Sequence, residues 1–127
     1  MKSFTVETHQ RTEFVDITSE VAKTVTVLGI KDGVITVYVP HTTCGLTINE
    51  NADPDVMADV ASALARMVPW QADYRHGEGN AAAHVKASLM GSSVQVPVED
   101  GRLKLGTWQG VYLCEFDGPR SRSVWVS

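Results

Sequence analysis

The 127-residue chain holds only two cysteines, Cys44 and Cys114, and no apolar run near the ~20 residues that a membrane-spanning helix needs. A disulfide framework is thereby excluded, and in a chain of this size the two are expected to stay as buried thiols. Basic clusters are missing as well: eleven Lys and Arg stand against fifteen Asp and Glu, a net charge of −4, with no run and no aromatic-basic stripe. Nucleic acid is therefore not an expected partner. The first fourteen residues are polar and alternating, without the apolar centre of a signal peptide, so a cytoplasmic protein with no membrane partner is the expectation. Repeats, low-complexity tracts and linkers are absent, and residues 1–127 read as one domain. The length also falls short of the roughly 200 residues of a (β/α)8 barrel. What is present is a 43% hydrophobic composition, enough for a core without staples, so that any metal would serve chemistry.

Alternation predicts strands over residues 3–8 and 13–18, and Val21, Val25 and Leu28 predict a short helix stopped at Gly29. Val34 to Pro40 is a near-continuous apolar strand placed inside a sheet. Asp53-Pro54-Asp55 is a helix start, followed by Val56, Val60, Leu64 and Met67 at core-facing spacing. Asn80 to Met90 reads as a third helix, with Ala81, Val85 and Leu89 as its buried stripe and Lys86 pointing outward. Val94 to Val98 is expected at an edge because of Pro97, and Asp100-Gly101 turns it back. Residues 111–117 and 123–126 complete about seven strands and three helices in non-alternating order. The fold class is α+β: a two-layer, largely antiparallel sheet with helices on one side.

Candidate chemistry lies at four places. Residues 41–51, HTTCGLTINEN, if extended, put Cys44 on one face and His41, Thr43 and Asn49 on the other; a bulge at Gly45 would be needed to join His41 to Cys44. Cys44 is then a core thiol, or else a ligand or nucleophile. His41 is either solvated on a polar face or functional. His76 sits in a glycine-rich loop, and His84 lies with Ser88 along the border of the third helix, as a hydrogen-bonded histidine or a metal ligand. Glu115 and Asp117 share one strand face, a strand end or a pair of ligands, with Arg120 and Arg122 close enough to neutralise them or hold a phosphate. Trp108, between glycines, packs or stacks on a flat heterocycle. As border and strand-end groups, His84 and Glu115 are expected to add little stability, whereas Leu64→Ala is expected to cost roughly 2–5 kcal/mol.

The blocks 41–51, His76 with Gly79-Asn80-Ala81-Ala82-Ala83-His84, Gly106-Thr107-Trp108-Gln109-Gly110 and Cys114-Glu115-Phe116-Asp117-Gly118-Pro119-Arg120 together resemble the YjbQ-like family, in order and over nearly the whole chain. That resemblance implies a homotrimer with a histidine-built site able to hold a metal, and a weak thiamine-phosphate synthase activity. Such a reaction joins an aminopyrimidine methyl diphosphate to a thiazole phosphate and releases diphosphate. Placed on this chain, it makes His41, His76 and His84 the ligands of a divalent ion, zinc first and magnesium second. Glu115, Cys44, Asp117 and Trp108 become catalytic candidates, and Asn49, Asn80, Lys86, Ser88 and Arg120 candidate contacts to a small phosphorylated metabolite. A metal-dependent hydrolase or lyase on another phosphorylated molecule, and a non-catalytic binding trimer, are the alternative readings.

Overall fold

A computed structural model describes all residues 1–127. In chain order the elements are β1 (Lys2–Glu7), β2 (Glu13–Asp16), α1 (Thr18–Leu28), β3 (Gly33–Tyr38), β4 (Cys44–Glu50), α2 (Pro54–Met67) and α3 (Ala81–Met90), then β5 (Ser93–Glu99), β6 (Arg102–Leu103), β7 (Gln109–Glu115) and β8 (Ser121–Val126). The α+β class holds, and every strand pairing is antiparallel. The strands divide between two sheets, ordered β1-β8-β3-β5-β6 and β2-β7-β4.

Period-two alternation explains the main core. Ile35 and Val37 on β3, Val96 and Val98 on β5, and Val124 and Val126 on β8 turn inward from the five-stranded sheet. They meet Leu46, Val111 and Leu113 of the smaller sheet and Val21 and Val25 of α1 in one buried cluster. At roughly 1.5–3 kcal/mol for each fully buried aliphatic side chain, this is the principal source of stability. The other face of β7 carries Tyr112 and Cys114, which pack with Phe116 beneath Met57 of α2 and Ala83 and Ala87 of α3. Cys44 and Cys114 thus belong to separate clusters, both as free buried thiols.

Local signals act as the residue types dictate. Gly29 ends α1 in the left-handed region, and Asp53 caps α2 by accepting from the Asp55 N–H at 2.9 Å. Asp100 and Gly101 both take positive φ in the β5–β6 hairpin. Pro97 is tolerated because the two-residue β6 covers only the end of β5. One open alternative closes and one expectation fails. The β4–β7 ladder runs unbroken from Cys44 to Glu50, so Gly45 forms no bulge. Its role is close approach: a Cβ there would lie 2.7 Å from the Gly91 carbonyl oxygen, so glycine lets the end of α3 seat on β4. On α3 the buried residues are Ala82, Ala83, Lys86 and Ala87, while Val85 and Leu89 are exposed. The buried stripe is rotated from the expected one because small alanines, rather than the larger aliphatics, fit the gap over β7.

Candidate functional site

One end of the molecule collects the polar motifs. The chain leaves β3 at Tyr38 and bends at Thr42-Thr43 before entering β4, so His41, Thr42 and Thr43 all reach the same opening. The loop before α3 brings His76, Glu78 and Asn80, α3 itself brings His84, and the β7–β8 turn adds Asp117, Arg120 and Arg122. These residues and Pro40 line a cleft of about 430 Å3 in which the Pro40 ring is the one apolar side chain. A small apolar ligand finds little there to replace water.

Arg122 forms the floor. On β8 it alternates with Val124 and Val126 and is 4% exposed. Glu115, fully buried, takes its Nε–H at Oε1 over 2.8 Å and its Nη2–H at Oε2, and Nη2 also donates to Thr43 Oγ1 at 2.8 Å. Nη1 has no partner in the protein and is not sealed from the cleft. Glu115 further accepts from Thr8 Oγ1 at 2.8 Å and from the Asp117 N–H at 3.1 Å. Burial alone would raise the Glu115 pKa, but the Arg122, Asp117 and Thr8 hydrogen bonds outweigh it and hold the carboxyl below its ordinary range. Gly118 is required to close this arrangement, since a Cβ there would come within 2.3 Å of the Gln10 carbonyl oxygen and 2.9 Å of Glu115 Cγ.

The three histidines do converge on one cleft, but not as one ligand set. His76 and His84 stand edge to face with ring centroids 5.3 Å apart, and His76 Nε2 lies 3.8 Å from Glu78. His41 is separately held: its Nε2 accepts from the Ser123 N–H at 2.9 Å. Burial first and the Arg122 charge second lower its pKa, so it is held as the neutral ring with the proton on Nδ1. A ligand nitrogen needs a free lone pair, which His41 lacks in this arrangement. No three His, Cys, Asp or Glu side chains are grouped to share a metal ion. The three-histidine zinc set therefore does not fit the donors as they stand.

Several expected participants are elsewhere. Trp108 is exposed before the far end of β7, and Asn49 pairs with Gly110 there, about 17 Å along the strand from Glu115. Cys44 is 1% exposed, and burial pushes its thiol up to about 11, which makes it a core group rather than a nucleophile. Glu115 has its acceptor sites filled, so it positions Arg122 and is no general base. Ser88 spends its hydroxyl on the His84 carbonyl, beside a neighbouring hollow shared with His41 and His84. Lys86 is buried on the opposite side of α3, away from the cleft lining.

Asn80, Asp117 and Arg120 remain in place. Asn80 Nδ2 donates to Asp117 Oδ2 at 2.9 Å, and Arg120 Nη2 reaches the same oxygen at 3.0 Å. Asn80 Oδ1 is left buried with no donor. The sequence reading that Arg122 neutralises the Glu115 carboxylate holds, whereas its burial as the floor and the parts played by Thr8 and Ser123 are missed. The signal for that burial is parity, because an arginine alternating with Val124 and Val126 points inward and must find a carboxylate.

The family profile described as UPF0047 protein YjbQ-like matches residues 2–127. UPF0047 protein YugU of Bacillus subtilis is 50% identical over 127 residues, covering 99% of this chain and 96% of that protein. A UPF0047 protein of Methanocaldococcus jannaschii is 46% identical over 123 residues, covering 97% and 89%. Among solved structures, a YjbQ/UPF0047 family protein of Clostridium acetobutylicum superposes with a TM-score of 0.97 at 53% identity, covering 100% of this chain and 98% of the other. A YjbQ-like protein of Sulfolobus solfataricus gives 0.93 at 34% identity, covering 98% and 92%.

Proposed function

The chain belongs to the UPF0047 YjbQ-like family, and from the geometry of its polar cleft we propose that it binds a small phosphorylated metabolite and transfers or cleaves its phosphate-bearing group. One observation carries this reading: Arg122 is fixed in the floor by Glu115 and Thr43 with Nη1 free, in a cleft lined, Pro40 apart, by polar side chains. A guanidinium clamped on two nitrogens is preorganised for an oxyanion, because its orientation is settled before the ligand arrives. His41 adds an Nδ1–H donor of fixed tautomer. Asn80 donates from Nδ2 to Asp117 and so orients that carboxylate at the cleft.

His76 and His84 serve as the proton-transfer pair. Arg122 and His41 hold the phosphate oxygens, and an imidazole of the pair gives a proton to the departing oxygen or takes one from an attacking water. A divalent cation, zinc before magnesium, is the alternative use of His76 and His84, in place of proton transfer; further donors would then come from the bound phosphate or another subunit. Such an ion would supply Lewis-acid stabilisation of developing charge. The working unit is a homotrimer, a reading supported by the exposed Val34, Val85 and Leu89, and a monomer by light scattering would contradict it. No helix is long and apolar enough to cross a membrane.

The finer reading is thiamine-phosphate synthase-type transfer. It needs a face for the aminopyrimidine, and since Trp108 lies at the far end of β7, the cleft favours the diphosphate half of that substrate over the heterocycle. Turnover separates the two. Purified protein is incubated with aminopyrimidine methyl diphosphate and thiazole phosphate, together and singly. Thiamine phosphate in the joint reaction supports the synthase reading, phosphate or diphosphate release from single substrates supports the hydrolase or lyase reading, and binding without product leaves a ligand carrier.

A further inference from the structure

A second hollow, of about 500 Å3, adjoins the histidine cleft, and His41, Thr42 and His84 line both. These three residues form a ridge between compartments of different chemistry. The carboxylates and guanidiniums, Glu78, Asp117, Arg120 and Arg122, all line the cleft, whereas no Asp, Glu, Lys or Arg lines the hollow.

The hollow lies between α3 and the bend that leads into β4. His84, Ala87 and Ser88 stand at i, i+3 and i+4 on α3, and Gly91 follows at i+7, so one face of the helix makes a wall. Thr42 and Cys44 belong to the bend and the start of β4. The Gly91 carbonyl accepts from the Leu46 N–H at 3.0 Å and the Ser92 carbonyl from the Val39 N–H at 2.9 Å, which fixes the end of α3 against both sides of the bend. A Cβ on Gly91 would meet no heavy atom within 4 Å, so this side of the hollow is open space. Buried Cys44 and Ala87 give the hollow a weakly polar base, and Thr42, Ser88 and Ser92 give it an exposed rim of hydroxyls. Such a lining suits a neutral group that carries hydroxyls at its edge. A second anion would lose its hydration there and meet no counter-charge.

We infer that the hollow receives the organic part of a phosphate ester, a compact uncharged group bearing hydroxyls, while the phosphate lies over Arg122. This rests on the reading of the cleft as an oxyanion site and adds to it the class of ligand. The ester linkage then crosses the ridge at His41 and His84, which places the two parts of the ligand on either side of the imidazoles.

Calorimetric titration of the full chain with inorganic phosphate, glycerol 3-phosphate and 3-phosphoglycerate tests it, in wild type, Ser88→Phe, Ser92→Phe and Arg122→Lys. Wild type is expected to bind glycerol 3-phosphate about ten-fold or more tighter than inorganic phosphate, and 3-phosphoglycerate, whose organic part ends in a carboxylate, without that gain. A phenyl ring at either serine position fills the hollow, and both variants are expected to lose the gain while binding inorganic phosphate as wild type does. Arg122→Lys is expected to weaken all three ligands. Phosphate binding with no preference for glycerol 3-phosphate, or a preference that both Phe variants keep, overturns the inference and leaves the cleft reading standing. No binding of any of the three by wild type overturns the cleft reading, and this one with it. Light scattering covers one further case: an oligomer that the Phe variants dissociate means that a second copy fills the hollow, which also overturns the inference. Should one Phe variant fail to fold, the other, on a different segment, decides alone.

Discussion

Arg122 reaches from β8 of the five-stranded sheet to Glu115 at the end of β7 in the three-stranded sheet, and this two-pronged pair ties the sheets together under the cleft. Glu115→Gln leaves a buried guanidinium without its counter-charge, and urea denaturation is expected to show a loss of about 3–5 kcal/mol. The double replacement Glu115→Leu with Arg122→Met removes both charges and is expected to recover most of that loss while still binding no phosphate. Recovery of binding along with stability would make the pair structural only. A strand-end position in the sequence suggests that Glu115 adds little stability, and the four donors that converge on its carboxylate argue for the larger loss instead.

His41 makes stability depend on pH in a stated direction. Its pKa is lowered in the folded chain by burial and by Arg122, so the unfolded chain binds the proton more readily. Its contribution is complete above about pH 6.5, the unfolded value, and disappears as pH falls through the lowered folded value. Thermal unfolding between pH 7.5 and 5 should therefore show a slope that His41→Gln reduces. The Glu115 contribution follows the same sign at lower pH, complete above its unfolded value near 4.5 and lost as pH falls through its depressed folded value. An unchanged slope in His41→Gln would show that the ring is free of the Ser123 and Arg122 constraints.

Leu113, fully buried between the sheets, and Leu64, only partly buried on α2, should separate in a truncation experiment. Leu113→Ala is expected to cost about 2–5 kcal/mol, and Leu64→Ala to fall at or below the low end of that range. Chemical denaturation of both variants checks this. Equal losses would mean that α2 is covered by another subunit in solution.

Zinc titration followed by histidine ring NMR tests the division among the imidazoles. His76 and His84 are expected to shift together, while His41 keeps its signals because its Nε2 is already accepting from Ser123. A joint shift of all three rings at one equivalent would restore the three-histidine set.

Much of the fold is legible in residue order. The Asp53-Pro54 cap, the Gly29 stop and the Asp100-Gly101 turn are local chemistry and carry through to the structure, and the histidine blocks point to one cleft. What is hidden depends on contacts between distant segments. Gly45 suggests a bulge but makes room for Gly91, and α3 is rotated by the fit of its alanines over β7. Trp108 and Asn49 belong to motifs adjacent in sequence to the cleft residues but lie at the other end of the same two strands, a separation visible only once the β4–β7 register is known.

The central claim is that the cleft over Arg122 is an oxyanion site, and amide NMR during titration with inorganic diphosphate tests it without altering the chain. Saturable shifts are predicted at Ser123, Thr43, Asn80 and His84, with His41 following through its bond to Ser123, all fitting one dissociation constant. If those signals stay fixed while diphosphate is raised to millimolar levels, or if shifts gather only on surfaces away from these residues, the account of the cleft is contradicted.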